Sequence, residues 1–481
     1  MDETSKKSFN AAVWYIITNF ISKALLYIFT PLYTRMLTTA EYGEYGNFLS
    51  WQSILVTLLS FDLSAAVGIA YYDYDDEKEF DGFVNTITVF SYLIPGFFCT
   101  LIFVFGEYFS DLFRIRREYL LILLIYITFN NTLNIFQAEQ RVRLKYKVSA
   151  ILTLVTSVLT VGTTLLLVFT FRNRLMGVLI GGIAVNVISS AILAIVIWKR
   201  NHAIEYKYLK YALVLAVPLI PHVLAGTILG SSDKVMITRY CGEEYTGLYN
   251  LVYTFSMVIT MIAASINKAW TPWFYDRLKN NKLEYVKRIS NSIVLTISIG
   301  GLLLCMLAPE ILLVIGGKSY VEASPIMPPI IAACLINCVS TFYINIEFYN
   351  KKTAGISIAT VISAVINVVM NYAFIQRFGY MAAAYTTLFS SIITLIFHLI
   401  KVKQQGMIEI FDNRFLMLLL TGFSVVTEML ILTYEVKMLR YIVIFIIVSI
   451  SAIMVIKNKQ HYLAIIHNLI GKTTKEKGDQ L

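Results

Sequence analysis

Apolar runs long enough to cross a hydrocarbon layer follow one another from Ala11 to Ile456, with only short polar breaks between them. A helix needs roughly 20 such residues to span a bilayer core. In lipid the backbone must satisfy its own amides and carbonyls, so runs like these become helices. The spacing predicts an all-α polytopic membrane protein with about 14 spans, at 10–32, 48–71, 83–105, 119–137, 148–171, 175–198, 211–238, 248–270, 289–308, 326–349, 356–376, 380–400, 415–434 and 438–456. No polar stretch is long enough to build a separate soluble core. The segment from Ala11 to Leu32 exceeds the apolar core of a cleavable signal and reads as an uncleaved first span.

The net charge of +10 suggests a nucleic-acid partner until the charges are placed. With the N-terminus inside, 26 of the 40 Lys and Arg fall in alternate loops and the tail, and 11 on the opposite face. That asymmetry is the positive-inside pattern of a membrane protein with both ends in the cytoplasm, and no nucleic acid is implied. The five cysteines and five histidines show no metal or redox spacing, so no metal and no cofactor are expected. Gly316-Gly317-Lys318-Ser319 ends like a phosphate-binding loop, but position 312 is Leu where that loop needs its first glycine.

One internal echo organises the chain. Thr34-Arg35 precedes Gly43-x-Tyr45, and Thr238-Arg239 precedes Gly247-x-Tyr249, an offset of 204 residues. The pairs Glu41-Tyr42 and Glu244-Tyr245 lie between. Both hairpins, with Arg35 and Arg239, are expected on the outer face after spans one and seven. Six spans per half make the repeat parallel, with a pseudo-two-fold along the membrane normal. The organisation expected is an N-terminal six-helix lobe over 1–200, a C-terminal six-helix lobe over 201–403, appended helices 13 and 14 over 404–456, and a cytoplasmic basic tail over 457–481.

Three cations, Lys23, Lys234 and Lys268, fall inside spans. Asp62 and Asp233 join them there, with Asn19 one turn from Lys23, Asn267 beside Lys268, and Asn130 and Asn134 on the fourth span. A charge at the bilayer centre costs roughly 2.5–3.5 kcal/mol on insertion scales, so such residues face a partner or a watery cavity. Two readings fit: ion pairs and amide bonds that fix packing, or a polar cavity between the halves. In the second, Lys23, Lys234 and Lys268 attract a phosphate, Asp62 and Asp233 limit cation repulsion or couple to an ion, and Asn19, Asn130, Asn134 and Asn267 line the path.

Several stretches together resemble the Wzx-type polysaccharide and O-antigen repeat-unit flippases. These are Thr34-Arg35-Met36-Leu37-Thr38-Thr39-Ala40-Glu41-Tyr42-Gly43, Pro218 and Pro221 followed by Ser232-Asp233-Lys234-Val235-Met236-Ile237, then Gly247-Leu248-Tyr249 and Asn267-Lys268-Ala269-Trp270-Thr271-Pro272, with Gly317-Lys318-Ser319-Tyr320. The family belongs to the multidrug/oligosaccharidyl-lipid/polysaccharide (MOP) superfamily, with the MurJ and MATE transporters. The resemblance implies a flippase of a bacterial inner membrane, serving capsule or lipopolysaccharide synthesis. Its substrate would be an undecaprenyl-pyrophosphate-linked oligosaccharide carried between leaflets by alternating access. It implies coupling to H⁺, Na⁺ or membrane potential, and membrane lipid, a polysaccharide polymerase and a chain-length regulator as partners. By position Lys23 matches the first-span cation and Asp233 the acid of the seventh-span motif. A MATE-like cation-coupled drug exporter and a membrane glycosyltransferase or polymerase are the alternatives.

Overall fold

The computed structural model describes residues 27–457, with Trp14, Thr18, Ile21, Ser22, Ala24 and Leu25. Lys23, Asn19, other residues of the expected first span and the tail from residue 458 lie outside the described residues. Within them the chain is helical, with no strand. Eleven helices are long and apolar enough to cross a membrane, or up to twelve if one bent pair is a single span. The fourteenth expected span coincides with a helix over Lys437–Lys457.

The chain divides into two compact units, residues 1–250 and 251–481. The first begins with α1 over 27–36 and α2 over Thr39–Leu59. Thr38 starts α2 with a capping box: its hydroxyl accepts from the Glu41 amide at 3.2 Å, and its own amide donates to Glu41 Oε2 at 2.8 Å. There follow α3 (Val67–Asp73), α4 (Glu77–Val104), the eight-residue α5 (Gly106–Phe113), α6 (Arg117–Val142), α7 (Tyr146–Thr170) and α8 (Arg174–Arg200). Next come α9 (Tyr206–Ala216) and α10 (Ile220–Tyr240), joined by a 3-10 turn holding Pro218. The last helix to start in this unit is α11 (Glu243–Lys279). It runs through Pro272, beyond the end at 270 read from sequence, and the Thr271 hydroxyl donates to the Asn267 carbonyl at 2.8 Å. In this unit α6 packs against α8, α4 and α2, and α2 packs along α10.

The second unit continues with α12 (Leu283–Met306), the eight-residue α13 (Ala308–Ile315), a 3-10 segment over Lys318–Ile326, and α14 (Met327–Tyr349). Then come α15 (Ala354–Phe378), α16 (Ala382–Gln404), α17 (Asn413–Ile431) and α18 (Lys437–Lys457). Its centre is α14, which is buried along most of its length and packs on α16, α17 and α12. By contrast α7 in the first unit keeps only 11% of its most apolar window inside the protein. The apolar side chains left outside, such as Phe169 and Leu166, suit contact with lipid rather than water.

The internal repeat is visible in the order of elements. The first helix of each hairpin ends at 36 and 240, and the next starts at 39 and 243, the offset of 204 seen in the sequence. The short helices α5 and α13 start 202 residues apart. The 25-residue helices α7 and α15, and the starts of α8 and α16, are 208 apart. Each set therefore runs long helix, short helix, three long helices, with small insertions shifting the register.

One expected span is corrected. Residues 48–71 do not form a continuous helix: α2 stops at Leu59, the chain bends by 51°, and helix resumes at Leu63. Phe61 and Asp62 both take positive φ, 50° and 45°. Ser60 Oγ accepts from the Asp62 amide at 3.2 Å, and Ser64 Oγ donates to Asp62 Oδ1 at 3.2 Å. Short polar side chains that bond their own backbone compete with the helix ladder, and Ser60, Asp62 and Ser64 do so together.

Candidate functional site

The two echoing hairpins meet inside the first unit. A methyl added to Gly43 would strike the carbonyl of Glu243, and one on Gly247 would strike the carbonyl of Thr39. Thr39 and Glu243 are themselves 204 apart, so the two close approaches exchange under the repeat. Gly46 faces the side chain of Asn250, again 204 residues on. Glycine at 43 and 247 is thus required by backbone proximity. Arg35 and Arg239 remain exposed at the ends of α1 and α10, and Arg239 donates to the Asp111 carbonyl at 3.4 Å.

Behind this contact α10 carries Asp233, only 2% exposed. It accepts a hydrogen bond from the Tyr249 hydroxyl at 2.6 Å, so the tyrosine of the second echo holds the acid of α10. Lys234, next along the helix, is partly buried.

Asp62 sits at the bend after α2 and lines a narrow pocket of about 30 Å³ with Ser60, Ser64, Asn131 and Asn134. Asp62 and Asn134, placed on different spans from sequence, therefore come together. Asn130 points elsewhere: buried, it accepts from Asn186 of α8 at 3.3 Å and ties two helices. A larger cavity of about 300 Å³ lies among α1, α2, α6, α7 and α8. Its polar lining is hydroxyl and amide, including Gln52, Thr156, Thr160 and Asn186, with no charged group among the described residues.

In the second unit Lys268 and Asn267 line a cavity of about 270 Å³ with Asn337, Thr341 and Cys338. Asn267 also accepts from Asn345 at 2.8 Å. Lys268 is exposed.

Two buried ionic sites were not picked out from sequence. Glu139 near the end of α6 is fully buried and binds both Arg143 Nε, at 2.9 Å, and the guanidinium of Arg200 from α8. Arg143 also reaches Asp81 at 2.6 Å and the exposed Glu77 at 2.5 Å. The matching site in the second unit is Glu347 of α14 against His398 of α16, at 2.5 Å. The spacing of Glu139 and Arg143, four apart on one helix face, was the available signal. The partners 61 and 51 residues away left none. No cluster of His, Cys, Asp and Glu among the described residues is arranged to hold a metal.

Against known proteins, residues 9–278 match the family described as "Polysaccharide biosynthesis protein", more than half of the chain. A curated relative from Haemophilus influenzae, "Lsg locus putative protein 1", is 22% identical over 375 residues, covering 75% of this chain and 90% of its own. A second from the same organism, an uncharacterized membrane protein, is 21% identical over 364 residues, covering 73% and 86%. Among solved structures, the chain is similar to a lipid II flippase MurJ in an inward closed conformation. The TM-score is 0.68 at 16% identity, over 94% of this chain and all of that one. It is also similar to an inward-facing multidrug resistance MATE transporter of the MOP superfamily, with TM-score 0.65 at 14% identity, over 82% and 99%. The helical fold is thus shared with these two transporters. The chain is a multi-pass membrane protein of the polysaccharide biosynthesis protein family.

Proposed function

We propose that the chain is a flippase carrying an undecaprenyl-pyrophosphate-linked oligosaccharide repeat unit from the cytoplasmic to the outer leaflet of a bacterial inner membrane, by alternating access. The observation that carries this reading is the join of two facts: a polysaccharide biosynthesis sequence on the fold of a lipid II flippase. Sugar hydroxyls lose hydrogen bonds worth several kcal/mol each in hydrocarbon, so the headgroup needs a polar path. Lys234 and Lys268 lie within helices long and apolar enough to cross a membrane, and Lys268 lines a cavity of its own unit with Asn267 and Asn337. With Lys23 they supply the attraction for pyrophosphate, and Asp62 and Asp233 temper it. Both termini face the cytoplasm, on the side of the basic loops. A polymerase and a chain-length regulator take the product on the far side. The protein moves its substrate and makes no bond.

The test is charge reversal in a strain that depends on this chain for its surface glycan. Lys234→Glu and Lys268→Glu abolish export at normal membrane levels, and the lipid-linked repeat unit accumulates on the inner leaflet. Full export by both variants removes the phosphate reading. The likeness to a MATE transporter supports a second reading, export of cationic drugs, which predicts that deletion changes drug susceptibility and leaves the glycan intact.

A further inference from the structure

In the first unit, α7 and α8 contribute hydrogen-bond acceptors to the wall of the cavity of about 300 Å³. Thr156 and Ser157 of α7 give their hydroxyl protons to the carbonyls of Leu152 and Thr153, at 2.8 and 2.7 Å. Such back-bonding leaves each hydroxyl oxygen with its lone pairs only. Ser22 also lines the cavity, with its oxygen 2.9 Å from that of Ser157. Because the Ser157 proton is already placed, Ser22 donates to Ser157 and keeps only lone pairs itself. On α8, Asn186 donates through Nδ2 to Asn130 at 3.3 Å, while its Oδ1 is buried with no partner among the described residues. A buried acceptor without a donor costs stability until a donor reaches it.

Aromatic rings complete the wall. Tyr33 and Tyr45 meet edge to face, with centroids 6.1 Å apart, and Phe29 and Tyr126 line the same space. Gly182 of α8 borders it too. A Cβ at Gly182 meets nothing within 4 Å, whereas at Gly177 and Gly181 it would strike the backbone of α7. Packing therefore requires the other two glycines and not Gly182, whose missing side chain leaves the space open.

This lining discriminates among occupants. An anion meets lone pairs that repel it. A metal ion is far smaller than the space, and the described lining residues offer it no carboxylate. An alkyl chain leaves the acceptors bare. Water satisfies them, but about ten molecules, at roughly 30 Å³ each, would also lie against ring faces that are poor partners for them. A pyranose carries hydroxyl donors around its edge and C–H faces above and below. The donors suit the acceptors, and the faces suit the flat rings.

We infer that this cavity binds one uncharged sugar ring, a hexose, deoxyhexose or N-acetylhexosamine. Its hydroxyls donate to Ser22, Thr156 and Asn186, and a C–H face lies against the tyrosines. The cavity of the second unit carries Lys268 instead, so the two units offer different chemistry: acceptors and ring faces in the first, an ammonium in the second. That the ring belongs to an exported glycan rests on the flippase reading; binding of a free sugar does not.

The experiment is saturation-transfer NMR on the full chain in lipid nanodiscs. The probes are methyl glycosides of the three sugar classes and inorganic pyrophosphate, each at millimolar concentration. At least one class of glycoside receives saturation from the aromatic protons of the protein, and pyrophosphate does not compete with it. Gly182→Leu fills the space and abolishes the signal. Thr156→Val keeps the shape, removes an acceptor and weakens binding about fivefold, the effect of one lost hydrogen bond. Gly162→Leu, where nothing lies within 4 Å and which is outside the cavity lining, binds as the wild type does. No transfer to any glycoside, or equal transfer in Gly182→Leu and wild type, overturns the site and leaves water as its occupant. Competition by pyrophosphate overturns the choice of a neutral ligand. Lost sugar binding with normal export in Gly182→Leu cells overturns the link to transport while the site stands. A deletion strain with an intact surface glycan overturns the flippase reading, and the nanodisc measurement still decides the site.

Discussion

Replacing Gly43 by alanine tests the closest backbone approach in the first unit. The added methyl would overlap the carbonyl oxygen of Glu243, and would lie 2.7 Å from its carbon and 2.9 Å from the amide nitrogen of Gly247. Ordinary contacts of such a carbon begin at 3.4 Å, so the carbonyl carbon alone must retreat by about 0.7 Å. Both obstacles are backbone at the start of α11, and no rotamer relieves them. Overpacking of this kind costs about 1–3 kcal/mol. With rigid backbone on the far side, the upper end applies, about 3 kcal/mol, or roughly a hundredfold in the folded-to-unfolded ratio. Gly247→Ala meets the Thr39 carbonyl and behaves alike. The double variant loses less than the sum, because one separation of the helices relieves both clashes. Gly162→Ala and Gly300→Ala are the controls. Nothing lies within 4 Å of either position, and alanine gains about 0.5–1 kcal/mol in an open helix site. The assay is thermal unfolding of the purified protein in detergent, read by loss of the monodisperse peak on size exclusion. The reasoning fails if Gly43→Ala is as stable as Gly162→Ala.

Other perturbations follow from the same structure. Glu139→Gln keeps the volume but takes the buried carboxylate from between Arg143 and Arg200, which keep Asp81 as a partner, so it lowers stability in the same assay by about 1–3 kcal/mol, and Arg200→Met in that background restores part of the loss. Asp62→Ala loses the Ser64 bond and leaves a Cβ residue at φ 45°, costing about 1–2 kcal/mol, whereas Asp62→Gly keeps stability because glycine takes that φ freely. Tyr249→Phe removes one hydrogen bond from the buried Asp233 and costs about 1–3 kcal/mol by thermal unfolding; an unchanged midpoint would show that Tyr249 does not support Asp233. Thr38→Ala breaks the capping box of α2 and costs about 1 kcal/mol, which Thr38→Ser restores.

The sequence alone determined that this chain is a bundle of membrane-crossing helices, because lipid offers the backbone no other way to satisfy its polar groups. It determined the repeat as well: Thr-Arg followed by Gly-x-Tyr marks where one helix ends and the next begins, and both events depend on residues a few positions apart. Asp233 and Lys268 could be singled out because a lone charge in an apolar run is visible without any fold. The tertiary structure decided what those residues touch. Tyr249 reaches Asp233 only because the turn between α10 and α11 folds back, and Gly43 needs its missing Cβ only because a segment 204 residues later lies against it. The bend at Asp62 was half legible, since Ser60 and Ser64 flank it, but apolar neighbours disguised it as continuous span. Glu139 and Glu347 were hidden altogether. Each looks like an ordinary charge near a helix end, and only the packing of α6 on α8 and of α14 on α16 brings Arg200 to one and His398 to the other.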